Sequence, residues 1–320
     1  MSRLTTKGIH HITSIVGDAQ KNVDFYAGVL GLRLVKRTVN FDDPGTYHLY
    51  FGDERGSPGT VITFFPWPSE FKGRFGSGQV ETTVFAAPSG SLPFWEERLR
   101  KLGIDAAKRK RFGEAYLSFT DPAGLKLELF ERTGGKRSDW TPGTISGDVA
   151  IQGLSGAVLR SSAPQETAAV LERLLGLNPI GQEGDSLRFM TEAPEGLGDC
   201  IELKLAPGGC TGFNAVGTVH HIAWRAEDTE QQKRWQQAVR DQLLLPTRIM
   251  ERNYFQSIYF REPGGILFEI ATDAPGFAID EEPDRLGERL MLPSWLEPQR
   301  EELEERLPQL TLKPLEENIE

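Results

Sequence analysis

The chain has 320 residues, enough for about two ordinary domains, and its 36 Lys+Arg against 46 Asp+Glu leave a net charge of −10. That balance argues against a nucleic-acid or anionic-membrane partner, because phosphate surfaces are bound by Lys and Arg, and no apolar run of about 18 residues is present to span a bilayer. The start MSRLTTKGIHHIT lacks the apolar stretch of a secretory leader, and Cys200 and Cys210 alone make no disulfide framework, so a reduced, cytoplasmic setting is expected.

Taken in chain order, the elements repeat. A short apolar strand over 11–16 is followed by Asp18 as helix opener, a helix from Ala19 to Leu30, and Gly31 as its end. The signature Leu30-Gly31-Leu32 returns as Leu102-Gly103-Ile104 and Leu175-Gly176-Leu177, the glycines 72 and 73 residues apart. Glycine suits that place because it accepts a left-handed backbone without steric cost. One period on, after a helix over Thr229–Leu244, the chain reads Leu243-Leu244-Leu245-Pro246, with Pro as the expected stop. First strands are expected at 11–16, 82–86, 157–160 and 221–225, and helix openers at Asp18, Ser89, Ser162 and Asp228. Ser162 with Gln165 and Asp228 with Gln231 resemble capping boxes. About three strands then close each unit. Asp121-Pro-Ala-Gly-Leu-Lys-Leu-Glu128 matches Glu262-Pro-Gly-Gly-Ile-Leu-Phe-Glu269, and Pro58–Thr63 and Leu197–Glu202 are the related stretches.

The fold class is therefore α+β, built from four βαβββ modules at 7–67, 78–133, 149–206 and 216–273. A lone module would expose a sheet face and an open edge, so modules are expected to pair into two half-barrel domains. Residues 7–133 hold modules one and two, 134–148 a polar linker, 149–273 modules three and four, and 274–320 a C-terminal extension. The extension should carry a helix over Gln299–Arg306 and lie as a strap that buries Leu290, Met291, Leu292 and Trp295. Exposed sheet edges are compatible with a homo-oligomer.

Four of the five histidines fall in two pairs, His10-His11 and His220-His221, at equivalent points of the repeat. Two imidazoles and one carboxylate on one face of a divalent metal leave three positions open, the ligand set of non-haem Fe(II) oxygenases. His11, His221 and Glu269 are the candidates, with Fe(II) the expected metal and Mn(II) suited to the same ligands. Glu128 and Glu202 match Glu269 in position, but their modules carry no His, so they read as structural carboxylates. The ligands are 210 residues apart, so modules one and four must meet and modules two and three pair with each other. Strand alternation places Thr13 on the face of His11 and turns His10 and His220 away unless a bulge intervenes. His48 and Cys200 read as structural residues, the basic run Ala107–Arg111 as solvated, and Gly134–Ser138 as no phosphate loop.

The stretches Gly8–Thr13, Tyr26–Gly31 and, more specifically, Arg252–Glu269 resemble the vicinal oxygen chelate (glyoxalase/bleomycin resistance/extradiol dioxygenase) superfamily, and within it the hydroquinone-specific ring-cleaving dioxygenases. The resemblance covers nearly the whole chain. It implies a glyoxalase/extradiol dioxygenase-like fold, Fe(II) on His11, His221 and Glu269, and a site lined or supported by His10, Thr13, His220, Arg252 and Tyr259. It also implies an extradiol-type reaction that opens a small aromatic diphenol and inserts both atoms of O2. There, His220 or Tyr259 would handle a proton and Arg252 would hold a substrate oxyanion. Two other functions stand beside it: a glyoxalase-type lyase or isomerase, whose sites usually present four ligands, and a non-enzymatic binder of small aromatics.

Overall fold

In the computed structural model, which describes residues 4–68, 71–134, 137–192, 196–205 and 210–313, every module contributes four strands and one helical segment. Module one has β1 (Ile9–Val16), α1 (Ala19–Val23) running on as a π-helical turn over Asp24–Val29, β2 (Arg33–Asn40), β3 (Asp43–Gly52) and β4 (Val61–Pro66). Module two has β5 (Gln79–Pro88), α2 (Leu92–Lys101), β6 (Ala107–Arg111), β7 (Glu114–Thr120) and β8 (Lys126–Arg132). Module three has β9 (Gly153–Arg160), α3 (Pro164–Ala169), a second π-helical turn over Val170–Leu174, β10 (Asn178–Glu183), β11 (Ser186–Met190) and β12 (Cys200–Lys204). Module four has β13 (Thr218–Ala226), α4 (Thr229–Asp241), β14 (Met250–Glu251), β15 (Phe255–Arg261) and β16 (Leu267–Pro275).

The strands form two curled mixed sheets of eight strands each. One runs β14-β15-β16-β13-β1-β4-β3-β2 and so joins modules four and one; the other runs β10-β11-β12-β9-β5-β8-β7-β6 and joins modules three and two. The seams are antiparallel ladders, β1 with β13 and β5 with β9. Alternation sorts the seam residues by face. Ile12, Ile222, Phe268 and Ile270 enter the main core, shared with Trp95, Trp224 and Trp235, whereas His11, His221 and Glu269 face the hollow of their sheet.

Gly31, Gly103 and Gly176 take φ of +69°, +71° and +79°, the left-handed C-terminal residue the repeat calls for. The fourth helix differs: the left-handed residue is Leu243, with φ +60°, three residues before Pro246. Asp18 and Asp228 cap as expected, accepting from Lys21 N at 2.9 Å and Gln231 N at 2.7 Å. The other two openers differ. The second helix starts after Ser91 rather than Ser89, and the third starts at Pro164 because Ser162 spends its hydroxyl on Gly264 O.

The stretch 134–148 packs rather than floating: Ile145 is buried against Gly31. Residues 135–136 of that stretch, 193–195 and 206 of module three and 314–320 of the extension lie outside the described residues. The extension is a strap on module one. Met291 N donates to Arg37 O on the edge strand β2, Tyr47 OH donates to Pro308 O, and a helix α5 (Arg300–Arg306) packs on β3. Leu290 and Leu292 are buried as expected, but Trp295 is 52% exposed, because Leu296 takes the inward position. Nearer the site, buried Lys36 is held by Asp280 and Glu281, and Phe277 joins Tyr50, Tyr254 and Phe255 in an apolar cluster behind the hollow.

Candidate metal centre

The seam between β1 and β13 carries two irregularities that aim the histidines. Ile9 pairs with Trp224 and His11 with Ala223, so His10 is an extra residue in β1. Thr13 pairs with His221 and Ser14 with Val219, so His220 is an extra residue in β13. Each histidine pair is thus a β-bulge residue followed by a regular one. A bulge breaks strict alternation and re-aims side chains. The result is the same at both pairs: His10 Nδ1 lies 2.9 Å from His11 Nδ1, and His220 Nδ1 lies 2.7 Å from His221 Nδ1. Those contacts occupy the Nδ1 atoms of His11 and His221 and turn both Nε2 atoms inward.

The inward atoms converge with a carboxylate oxygen. His11 Nε2 is 3.4 Å from His221 Nε2 and 3.5 Å from Glu269 Oε2, and His221 Nε2 is 2.8 Å from the same oxygen. Donor atoms about 2.1 Å from a common centre and at right angles lie about 3.0 Å apart, so this triangle suits one face of an octahedral ion. All three side chains are buried. Glu269 Oε1 accepts from Ser257 Oγ at 2.5 Å, while Oε2 is buried and accepts no hydrogen bond. An anionic oxygen within 3.5 Å of two imidazole nitrogens is a donor set that suits a shared divalent cation. Burial works to raise the Glu269 carboxyl, but His11 and His221 outweigh it and hold it well below the usual carboxylate range.

The register also shows what stands opposite Glu269. Ala223, two residues after His221, pairs with Glu269 on β16. Thr13, two residues after His11, pairs with Thr63 on β4. Thr63 is therefore the mirror of Glu269, and its hydroxyl is taken by Thr13 Oγ1 and His48 Nε2, both at 2.8 Å. The internal repeat already placed Thr63 at the end of the hairpin matching Glu269, so this signal was legible.

The other expected residues surround the triad. Tyr259 pairs across strands with Glu269, and its ring meets His221 edge-on at 5.6 Å. Arg252 Nε lies 3.3 Å from Tyr259 OH, and its Nη2 is 2.9 Å from Asp42 Oδ2. Burial followed by the Glu269 charge raises the Tyr259 hydroxyl, so it stays protonated. Burial and then His221 push the His220 imidazole down to about 3, so it is neutral at ordinary pH. Burial and then His11 likewise lower His10. The bulge brings His10 beside His11 and Phe255 rather than away from them.

Tyr50, Ser257 and Asp42 have no place in the sequence reading, and His48 stands there as a structural residue. His48 lines the cavity with its ring tilted against those of Tyr50 and Phe65, centroids 4.0 and 4.4 Å away; Tyr50 OH is 2.8 Å from His48 Nδ1. Ser257 holds Glu269, and Asp42 holds Arg252. Ser257 had only its strand spacing from Glu269 to mark it, and Asp42 had no local signal.

Residues 8–129 match the family profile described as the Glyoxalase/Bleomycin resistance protein/Dioxygenase superfamily. A Bacillus subtilis (strain 168) protein named as the ring-cleaving dioxygenase MhqO is 54% identical over 302 residues, 94% of this chain and 96% of the relative. The chlorohydroquinone/hydroquinone 1,2-dioxygenase of Sphingobium indicum is 35% identical over 308 residues, 93% of this chain and 94% of the relative. Among solved structures, a protein described as a dioxygenase from Bacillus subtilis subsp. subtilis str. 168 superposes with a TM-score of 0.95 at 52% identity, covering 98% of this chain and 100% of that one. Glyoxalase I from Zea mays shares the fold, with a TM-score of 0.59 at 15% identity over 83% of this chain and 92% of that one.

Proposed function

The chain belongs to the Glyoxalase/Bleomycin resistance protein/Dioxygenase superfamily, within it to the ring-cleaving dioxygenases, and from that premise we propose that it opens hydroquinones or related diphenols with both atoms of O2, using Fe(II) held by His11, His221 and Glu269. The observation that carries this reading is Thr63. Glyoxalase-type sites usually present four protein ligands, and at the mirror of Glu269 the chain has only a hydroxyl, already hydrogen-bonded to Thr13 and His48. Three protein ligands leave room for two reactants.

When bound, the metal supplies Lewis-acid charge and brings the diphenol and O2 into one coordination sphere. The chain's own residues do the rest. His220 stays neutral and, through its Nδ1 contact with His221, orients that imidazole toward the centre. Protonated Tyr259 donates from its hydroxyl to an oxygen that gains negative charge, and Arg252 beside it holds that oxygen by a charge-assisted hydrogen bond. Thr13 has no free role: its hydroxyl serves Thr63 and fixes the wall next to His11. Phe255, 5.1 Å from the His11 ring, gives the ring of the substrate an apolar surface.

The test is O2 uptake by anaerobically Fe(II)-loaded protein with hydroquinone, methylhydroquinone and catechol, beside a His11→Ala control. One O2 per diphenol with loss of the aromatic absorbance, absent in the control, is expected with the hydroquinones ahead of catechol. Metal-loaded protein that consumes no O2 with any of them overturns the reading in favour of a lyase or isomerase.

A further inference from the structure

The cavity lined by His11 and His221, with Arg252 and Tyr259 beside them, measures about 30 Å³. A pocket that holds a benzene ring measures about 150 Å³, so a diphenol enters only if a wall moves. Most of the wall is sheet. The exceptions are Phe41 and Asp42, which with Asn40 at the end of β2 form the tip of the hairpin between β2 and β3, and Arg252 just after β14.

The tip is built to move. Val39 pairs with Tyr47 but Asn40 pairs with Asp43, so the ladder slips just below it and leaves Pro44, Gly45 and Thr46 on β3 without regular partners in the ladder. Beneath the slip the hairpin is anchored, by Met291 N on Arg37 O and by Tyr47 OH on Pro308 O from the strap. Above it three light contacts reach out to other elements, one of them from Trp67 Nε1, which donates to Asp43 Oδ2 at 3.3 Å. Asp42 Oδ2 lies 2.9 Å from Arg252 Nη2 with the Asp42 side chain 64% exposed. Phe41 meets the half-exposed Trp295 edge-on at 5.6 Å. An ion pair this exposed biases the closed form by no more than about fivefold.

We propose that residues 40–43 are a gate over the metal centre and that Asp42 is a positioning residue that latches it. The inference rests on the diphenol reading above. Arg252 offers one Nη2 to two anionic oxygens, the Asp42 carboxylate when the site is closed and empty, and a phenolate oxygen of the substrate when it is occupied. Carboxylate and phenolate compete for the same guanidinium, so the residue that keeps the gate shut is released by the ligand that must pass it. The strap then has a function: it holds the hinge side of the hairpin and supplies Trp295 as the seat for Phe41.

The experiment compares wild type, Asp42→Asn and Asp42→Glu, all metal-loaded, by amide hydrogen exchange over residues 39–46 and by steady-state kinetics. Asp42→Asn should raise exchange in that segment about fivefold without raising it elsewhere in the sheet, and Asp42→Glu should restore it. Added salt should speed exchange in the wild type and not in Asp42→Asn. The diphenol KM should fall severalfold in Asp42→Asn, since the competing carboxylate is gone, with no rise in kcat. Unchanged exchange at 39–46, or an increase spread over the whole sheet, overturns the gate. If wild type turns over no diphenol, the function reading fails while the exchange data still decide the gate.

Discussion

In the sheet shared by modules one and four, the hollow carries His11, His221 and Glu269 with one bare carboxylate oxygen among them. In the sheet shared by modules two and three, the same register positions carry Thr82, Gly156, Glu128 and Glu202. Its seam has the same two bulges, at Glu81 and Ser155 where the first sheet has His10 and His220. What fills this second hollow is a network of ion pairs. Arg111 reaches Glu128 at 2.5 Å and Glu202 at 2.6 Å, and Arg188 reaches Glu202 at 2.9 Å and Glu114 at 2.5 Å. No side chain could stand at Gly156, since a Cβ there would lie 1.8 Å from Cys200 O. One backbone plan therefore serves two ends. An acid at the end of the hairpin meets two imidazoles only where a histidine follows each bulge; where Thr82 and Gly156 follow them, Arg111 and Arg188 reach in from other strands and neutralise the same acids within the chain.

That contrast can be broken from either side. The largest effect is expected from Glu269→Gln. It should weaken metal binding about 100-fold or more and abolish O2 uptake, and it should remove the rise in melting temperature that added metal gives the wild type, because metal binds only the folded site. Metal analysis beside a melting curve checks both parts, and full metal content in the variant would remove Glu269 from the ligand set. Glu202→Gln should do the reverse. Losing a buried carboxylate between Arg111 and Arg188 should cost about 2–3 kcal/mol of stability with metal content intact, since each arginine keeps one partner. Denaturant unfolding would show it, and an unchanged midpoint would mean the network does not stabilise the second half.

A smaller, pH-dependent effect sharpens how the halves dock. The turns that end modules two and four are mirrored: Asp121 accepts from Ala123 N, Leu125 N and Tyr26 OH of module one, as Glu262 accepts from Gly264 N, Ile266 N and Thr167 OH of module three. Burial raises the Asp121 carboxyl to about 6 despite those donors. A raised acid binds its proton more tightly when folded, so its contribution is present below about pH 4 and lost as pH rises toward 6, by at most about 3 kcal/mol. Asp121→Asn should lack that part of the pH dependence. Parallel stability curves for the two proteins from pH 4 to 6 would exclude it.

Much of this protein was written locally. The glycines 31, 103 and 176, the capping aspartates 18 and 228, and the matched hairpins ending at Glu128 and Glu269 each act on near neighbours in the chain. Residue type and spacing therefore suffice to mark four modules and two histidine pairs. Other features depend on which distant segments meet. The solvated reading of the basic run failed at Arg111, because Glu128 and Glu202 of two different modules converge on it. Trp295 stayed outside because Leu296 won the inward position on the strap. His48 entered the cavity because β3 and β4 bring it to Thr63. The bulges that fold His10 and His220 back on their neighbours exist only in the ladder between β1 and β13. Asp42 and Arg252, 210 residues apart, meet only once that ladder has formed. Propensity, capping and turn chemistry are short-range terms summed along the chain, whereas pairing, register and burial are sums over contacts that exist only in the folded whole.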